Sequence, residues 1–232
     1  MVSDRREPKE RHMHCGGLAT KGKQCPHVVF LEGIGEWEHL WEQVCDRSSK
    51  GCCYILSLKN VKEAEKLTKN VEIPPGCACT VEIRVAESVK FQSELSFSVG
   101  EGASFGFLLR GVVGETSSVS LTMRSVQENK ESVFSCRTRI VCNDGGVVRI
   151  EPTGHVGPES SGSTCVYDVK VLQVGTGGKV TVQPHLEVLG KNVKATHGFS
   201  VGRVPQDVRT YMESRGIDEK GVEELYMKGF LG

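Results

Sequence analysis

VKFQSELSFSV (89–99), SFGFLLRGVV (104–113), SSVSLTMRSV (117–126) and ESVFSCRTRIVC (131–142) decide the fold. In each run apolar and polar side chains alternate, the period of a strand that buries one face. Gly, Ser, Asn or Asp punctuates the gaps, and NDGG (143–146) is a strong tight-turn signal. CTVEIRV (79–85), GVVRIEP (146–152), TCVYDVKVLQV (164–174) and KVTVQPHLEV (179–188) extend the series on both sides. No helical pattern interrupts it between Val71 and about Leu189. A β-sandwich, a barrel and a stacked β-helix all fit this spacing. The absence of a clear short repeat disfavours solenoids that carry one motif per coil. Between two runs, EPTGHVGPESSGS (151–163) reads as a Gly/Pro/Ser loop.

Composition agrees with a β-rich chain: 27 Gly, aromatics at 6%, and recurrent Val, Thr and Ser. Lys plus Arg and Asp plus Glu are both 29, so the formal net charge is zero. That argues against a sequence-independent nucleic-acid binder, which needs a basic face to displace counterions. No apolar run approaches the roughly 20 residues needed to span a bilayer. MVSDRREPKERHMHC (1–15) lacks the apolar core of a secretory signal, and its acidic residues make it a poor organellar transit peptide. A soluble cytoplasmic protein is expected, with its ten Cys mostly reduced.

Ahead of the strands, residues 1–27 read as a flexible His/Cys-containing segment. His12, His14, Cys15, Cys25 and His27 form an H-x-H-C…C-x-H pattern across a Gly- and Lys-rich loop. Short-spaced N and S donors of this kind can ligate a soft divalent ion, though the spacing is not a standard zinc one. Residues 28–70 read as a small mixed α/β lead-in. VVFL (28–31) and CCYILSL (52–58) are strand candidates. In EWEHLWEQVC (36–45), Trp37, Leu40, Trp41 and Val44 fall on one helical stripe and are expected in the core. Cys52 and Cys53, adjacent in a strand, point to opposite faces. NVKEAEKLTKN (60–70) reads as a polar turn of helix or loop. Cys77 and Cys79 share a face, roughly 7 Å apart, and could share a metal only with ligands from elsewhere. Core filling is the plain reading for Cys136, Cys142 and Cys165.

Behind the core (71–200) come two short helices (201–232). Pro205 suits a first helical position, and Val208, Tyr211 and Met212 form a stripe that Gly216 ends. Asp218 is an N-cap candidate for a second helix bearing Val222, Leu225 and Tyr226, with Phe230 beyond. The two stripes must bury on the domain or offer a partner a groove. Arg203, Arg209 and Arg215 read as solvated surface. His197 and Gly198, in THGFSVG, sit at the join of strand and helices. His185 alternates onto one face with Glu187.

Pro184-His-Leu, then VKATHGFSVGRV, then YMESRGIDEKGVEELYMKGF resemble the C-terminal end of the SufB/SufD family, scaffold proteins of Suf iron–sulfur cluster assembly. The resemblance is sharp over about fifty residues, and S-R-G-I-D-E with a following helix ending in G-F carries most of it. It implies a right-handed parallel β-helix-like core with two short C-terminal helices. Those helices would dock on the ABC-type ATPase SufC, through Val208, Tyr211, Met212, Val222, Leu225, Tyr226 and Phe230. A second SufB/SufD-like chain would pair with the β-helix as a homodimer or heterodimer. A transient iron–sulfur cluster would be held where the chains meet. His197 falls on the histidine that SufD contributes there. Gly198 stands where SufB-type chains carry Glu, so the chain looks SufD-like. Counted without gaps from Pro184, the family's cysteine position falls on Val169, with Cys165 four residues earlier. Cys165 and His185 complete the cluster candidates. The short N-terminal part resembles minimal members of the family. No G-x-x-x-x-G-K-[ST] loop occurs, so the chain itself is expected to bind no nucleotide and to be no enzyme.

Overall fold

The computed structural model describes residues 27–46, 52–58 and 66–232. The strands are β1 (His27–Glu32), β2 (Cys52–Leu58), β3 (Lys66–Ile73), β4 (Ala78–Val85), β5 (Lys90–Val99), β6 (Ser104–Val113) and β7 (Ser118–Gln127). They continue as β8 (Val133–Cys142), β9 (Val147–Val156), β10 (Thr164–Gln173), β11 (Lys179–Val182), β12 (His185–Val188) and β13 (Lys194–Gly202). Helix α1 is Trp37–Asp46, α2 is Gln206–Ser214 and α3 is Glu219–Leu231. Among the described residues no helix is long and apolar enough to cross a membrane.

From β3 onward successive strands alternate between two parallel sheets. One runs β1-β2-β4-β6-β8-β10-β13, the other β11-β9-β7-β5-β3 with β12 also on β9. This is a parallel β-helix of about five turns. The alternation read in the sequence is the reason: in β5, Phe91, Leu95, Phe97 and Val99 are buried while Lys90, Gln92 and Glu94 face solvent. Like side chains stack from coil to coil, and Phe97, Phe105, Phe134 and Tyr167 form a chain of ring contacts with centroids 4.8–5.8 Å apart.

A coil repeat exists, but it lies in the backbone. Gly76, Gly102, Glu131, Gly162 and Asn192 all have positive φ, one at the same corner of each coil. Gly76, Gly102, Glu131 and Gly162 each donate their N–H to a carbonyl in the next coil's turn. The residue after each is small and turned inward: Cys77, Ala103, Ser132 and Ser163 are buried, and Val193 is half-buried. Three different residue types occupy the left-handed position, so no short motif recurs.

Four expectations are corrected. Residues 66–70, read as helix or loop, belong to β3. Its inward Leu67, Val71 and Ile73 alternate with Thr68, Asn70 and Glu72, and its charges lie along an edge strand. Lys66 pairs with Glu94, and Lys69 with Glu38 on α1. The stretch 151–156, read as loop, completes β9. Pro152, which lacks an N–H, is tolerated because it stands opposite the gap between β11 and β12. That gap splits the expected strand 179–188 at Gln183–Pro184. His197 is inside β13, not at a strand-to-helix join, because the strand runs on to Gly202.

The two ends of the solenoid differ. At the first, α1 lies where a further strand of the second sheet would stand. Trp37, Leu40, Trp41 and Val44 are buried in the main core, with Trp37 against Phe91 and Trp41 against Phe97. At the other end β13 is an edge strand. Cys165, Tyr167, Val169 and Val171 of β10 are buried, but of their register partners Ala195 is half-buried and His197, Phe199 and Val201 are exposed. Phe199 is 56% exposed and Val201 46%, beside exposed Val188 and Leu189.

Helices α2 and α3 lie off this end. Helix α3 packs on β8, on the outer face of the seven-stranded sheet. Leu108, Val141 and Leu172 point outward by strand parity yet are buried. Asp218 caps α3 as expected, accepting from Gly221 N–H at 2.9 Å. Pro205 takes the N-cap position of α2, one residue before the expected place, and Gly216, at φ +83°, follows the helix end. Arg110 Nη1 donates to the Leu231 carbonyl at the end of α3.

Candidate functional site

His197 stands on the inner face of β13, in register with buried Tyr167 of β10, and is exposed. The face it occupies is core in every earlier coil: the same row carries Val81, Phe107, Cys136 and Tyr167. The row surfaces at His197 because, among the described residues, the second sheet has no strand to lay over it there. An exposed imidazole at this place can offer a ring nitrogen to a metal.

Cys165 is one strand inward on the same face. It is paired with Ala195, so Cys165 and His197 are diagonal neighbours with Cα atoms ~8 Å apart. Their environments differ. Cys165 is buried, its Sγ 3.7 Å from Ser125 Oγ, and burial raises its thiol to about 11. Ser125 Oγ also lies 2.7 Å from the Tyr167 hydroxyl, which donates to the Thr153 carbonyl at 2.9 Å. Burial pushes Cys136 up to about 12 and raises Cys142 as well. These interior groups are therefore neutral thiols near pH 7, whereas a metal ligand is a thiolate. Gly154 keeps the packing closed: a Cβ there would lie 2.9 Å from the Tyr167 ring and 3.2 Å from Cys165 Sγ. Val169 is fully buried on this face, in register with Phe199.

His185 is not brought to this pair. It starts β12 opposite Thr153, on the outer face of the other sheet. Glu187 shares that face and meets a residue not singled out from the sequence. His155 Nδ1 lies 2.8 Å from Glu187 Oε2 and its Nε2 3.0 Å from Glu128 Oε1. The alternation of Thr153 and His155 with Gly154 and Val156 is the signal, obscured by the neighbouring Pro and Gly residues.

The residues expected to dock a partner separate into two groups. Val222 is fully buried and belongs to the chain's own packing. Met212, Leu225, Tyr226, Gly229 and Phe230 line an open cavity of about 360 Å³. Val208 is half-buried, while Tyr211 is largely exposed with Arg215 over its ring at 5.4 Å. Arg209 is not simply solvated: it pairs with Glu219 and Glu223 and ties α2 to α3. Of the N-terminal metal candidates, His12, His14, Cys15 and Cys25 lie outside the described residues, as does the side chain of His27. Among the described residues no group of three or more His, Cys, Asp and Glu stands together to hold a metal ion.

The family model for the SufBD core domain of SUF-system FeS cluster assembly matches residues 80–230, from the third residue of β4 to the penultimate residue of α3. This chain belongs to the SufB/SufD family. It is 23% identical over 133 residues to an iron–sulfur cluster assembly SufBD family protein of Staphylococcus saprophyticus, covering 57% of this chain and 29% of that protein. Against the iron–sulfur cluster assembly protein SufD of Escherichia coli it is 32% identical over 59 residues, 25% of this chain and 14% of SufD. Against SufB of Bacillus subtilis it is 22% identical over 132 residues, covering 57% and 28%. The matches thus span under a third of each relative's length. Family membership carries the β-helix and its terminal helices.

Proposed function

We propose that this chain is a non-enzymatic scaffold subunit for iron–sulfur cluster assembly, working in the cytoplasm. It pairs through its open β-helix end with a second SufB/SufD-like chain. The helix pair α2–α3 docks a SufC-like ABC ATPase, which hydrolyses the nucleotide that this chain does not bind. The cluster is cargo, built or transferred at the pairing surface.

The observation that carries the reading is the exposure of His197 on a face that is core everywhere else. Pairing would cover Phe199 and Val201 and place the imidazole in a water-poor seam. There a neutral ring nitrogen binds iron well, and apolar surroundings help set the cluster's stability. The remaining ligands come from the partner chain, since Cys165 is packed away beneath this surface. The groove lined by Met212, Leu225, Tyr226 and Phe230 supports the docking part: it is apolar, open, and formed by both helices.

A second reading, a structural or interaction protein that keeps the β-helix and has lost cluster chemistry, is favoured by Val169 and by the burial of Cys165. Co-purification from the source cell separates orphan from assembly component, and recovery of an ABC ATPase with a second β-helix chain is expected. Anaerobic reconstitution of that complex with iron and sulfide should then give sulfide-to-iron absorption in the visible. A colourless complex leaves the structural reading standing.

A further inference from the structure

On the reading that the α2–α3 groove docks a partner, we propose that Arg110 is its positioning residue. By fastening the end of α3 to the outer face of the seven-stranded sheet, Arg110 sets where the partner meets the groove. Among the described residues, α2 buries no side chain and α3 buries only that of Val222, near its start. Helix α2 is tied to α3 by Arg209, through Glu219 and Glu223. The place of the groove therefore follows from how α3 is held. Leu225, Tyr226, Gly229 and Phe230, which line the groove, all lie beyond Val222 toward the helix end. At 1.5 Å per residue, Leu231 stands about 14 Å along the axis from Val222. One apolar anchor at the near end leaves a span of that length free to swing, so a second anchor is needed at the far end.

Arg110 supplies it. Its Nη1 donates to the Leu231 carbonyl and, at 3.3 Å, to the Gly232 carbonyl. The last carbonyls of a helix lack intrahelical donors and carry the negative end of its dipole, so a cation is favoured there. The Arg110 side chain is only 20% exposed, so salt screens that attraction little. Gly232 admits the guanidinium: its φ is +85°, and a Cβ there would lie 2.7 Å from Nη1. The strand register explains why this cation is the one available. Arg84, Arg110, Arg139 and Lys170 stand abreast on β4, β6, β8 and β10, on the outer face. Like charges side by side are unfavourable unless each is answered. Arg84 Nε lies 2.7 Å from Glu82 Oε1, Arg139 pairs with Asp168, and Lys170 is exposed to solvent. Arg110 Nε is 3.6 Å from Glu82 Oε1, beyond hydrogen-bond range, and its guanidinium is answered by the end of α3.

The test uses the full chain and reads hydrogen exchange of the α3 amides. Arg110→Met keeps the apolar stem and removes the charge and the donors. It should speed exchange at residues 226–231 at least tenfold, with the amides of β6 and β8 unchanged. Arg110→Lys, which keeps a cation at the helix end, should stay within about threefold of wild type. Lys170→Met, on the same row but exposed, should change nothing. Binding of the ABC ATPase that co-purifies with wild type, measured by calorimetry, should weaken at least tenfold in Arg110→Met and recover in Arg110→Lys. Wild-type exchange in Arg110→Met overturns the proposal, as does wild-type ATPase affinity in a variant whose α3 exchange has risen. A wild-type chain that binds no ABC ATPase defeats the docking reading instead, and the exchange comparison still decides whether Arg110 holds the groove in place.

Discussion

The two ends of this β-helix face the same problem and meet it differently. Each coil buries its inner side chains against the opposite sheet, so the terminal coils are left with an uncovered inner face. At the N-terminal end α1 fills the place of the missing strand, and Trp41 is only 1% exposed. At the C-terminal end no described residue covers the far half of β13, although α2 and α3 are near in sequence. Those helices bury Val222 and lie against the outer sheet face instead. An uncovered apolar inner face carrying a histidine is the surface through which pairing is proposed. The contrast teaches that the same strand pattern makes core or interface depending only on what lies across from it.

The sharpest way to break this comparison is to truncate one residue at each end. Trp41→Ala should cost about 3–5 kcal/mol in urea unfolding. Phe199→Ala in the isolated chain should stay within about 0.5 kcal/mol, as for a surface residue. Equal costs would mean that the C-terminal end is covered after all. Pairing reverses the order: Phe199→Asp should abolish association with the partner chain, measured by sedimentation, with the circular dichroism of the free chain unchanged.

A smaller effect tests the closed interior between the ends. Burial pushes the Cys165 thiol up to about 11, well above the ordinary thiol range, so the folded thiol keeps a proton the unfolded chain gives up. Stability from this source is complete below about pH 9 and is lost as pH rises toward 11. The loss should be on the order of 3 kcal/mol. Chemical denaturation between pH 8 and 11 should show this decline, and Cys165→Ala should flatten it. A decline of the same slope in that variant would place the proton elsewhere.

The smallest effects concern the turn corner that every coil shares. Glu131 holds a left-handed conformation that glycine adopts without strain, so Glu131→Gly should stabilise by about 1 kcal/mol or less. Gly102→Ala, at the equivalent corner of the preceding coil, should destabilise by about 1 kcal/mol. Thermal or urea midpoints check both, and opposite signs are the expected result.

How much of this was legible in the residues depends on what each feature rests on. β2 and β6 were readable to their end residues, because a buried row needs apolar residues at every second position. β3 was not, because charges dominate its outer face and an edge strand has little to distinguish it from a helix turn. The coil repeat escaped because the left-handed corner is held by Gly, Glu and Asn alike. His155 was hidden by Pro152 and Gly154, which signal a loop unless the break opposite Pro152 is known. For the candidate site, the identity of His197 came from the family resemblance. Its exposure could not be read locally, since it follows from a strand that the opposite sheet lacks.

The central claim is that the uncovered end is where the cargo is held, through His197. The most direct measurement compares the paired complex carrying wild-type chain, His197→Ala or His185→Ala after anaerobic reconstitution with iron and sulfide. Wild type and His185→Ala should show the same sulfide-to-iron absorption, and His197→Ala should lose at least nine-tenths of it with pairing intact. Full absorption in the paired His197→Ala complex would contradict the account.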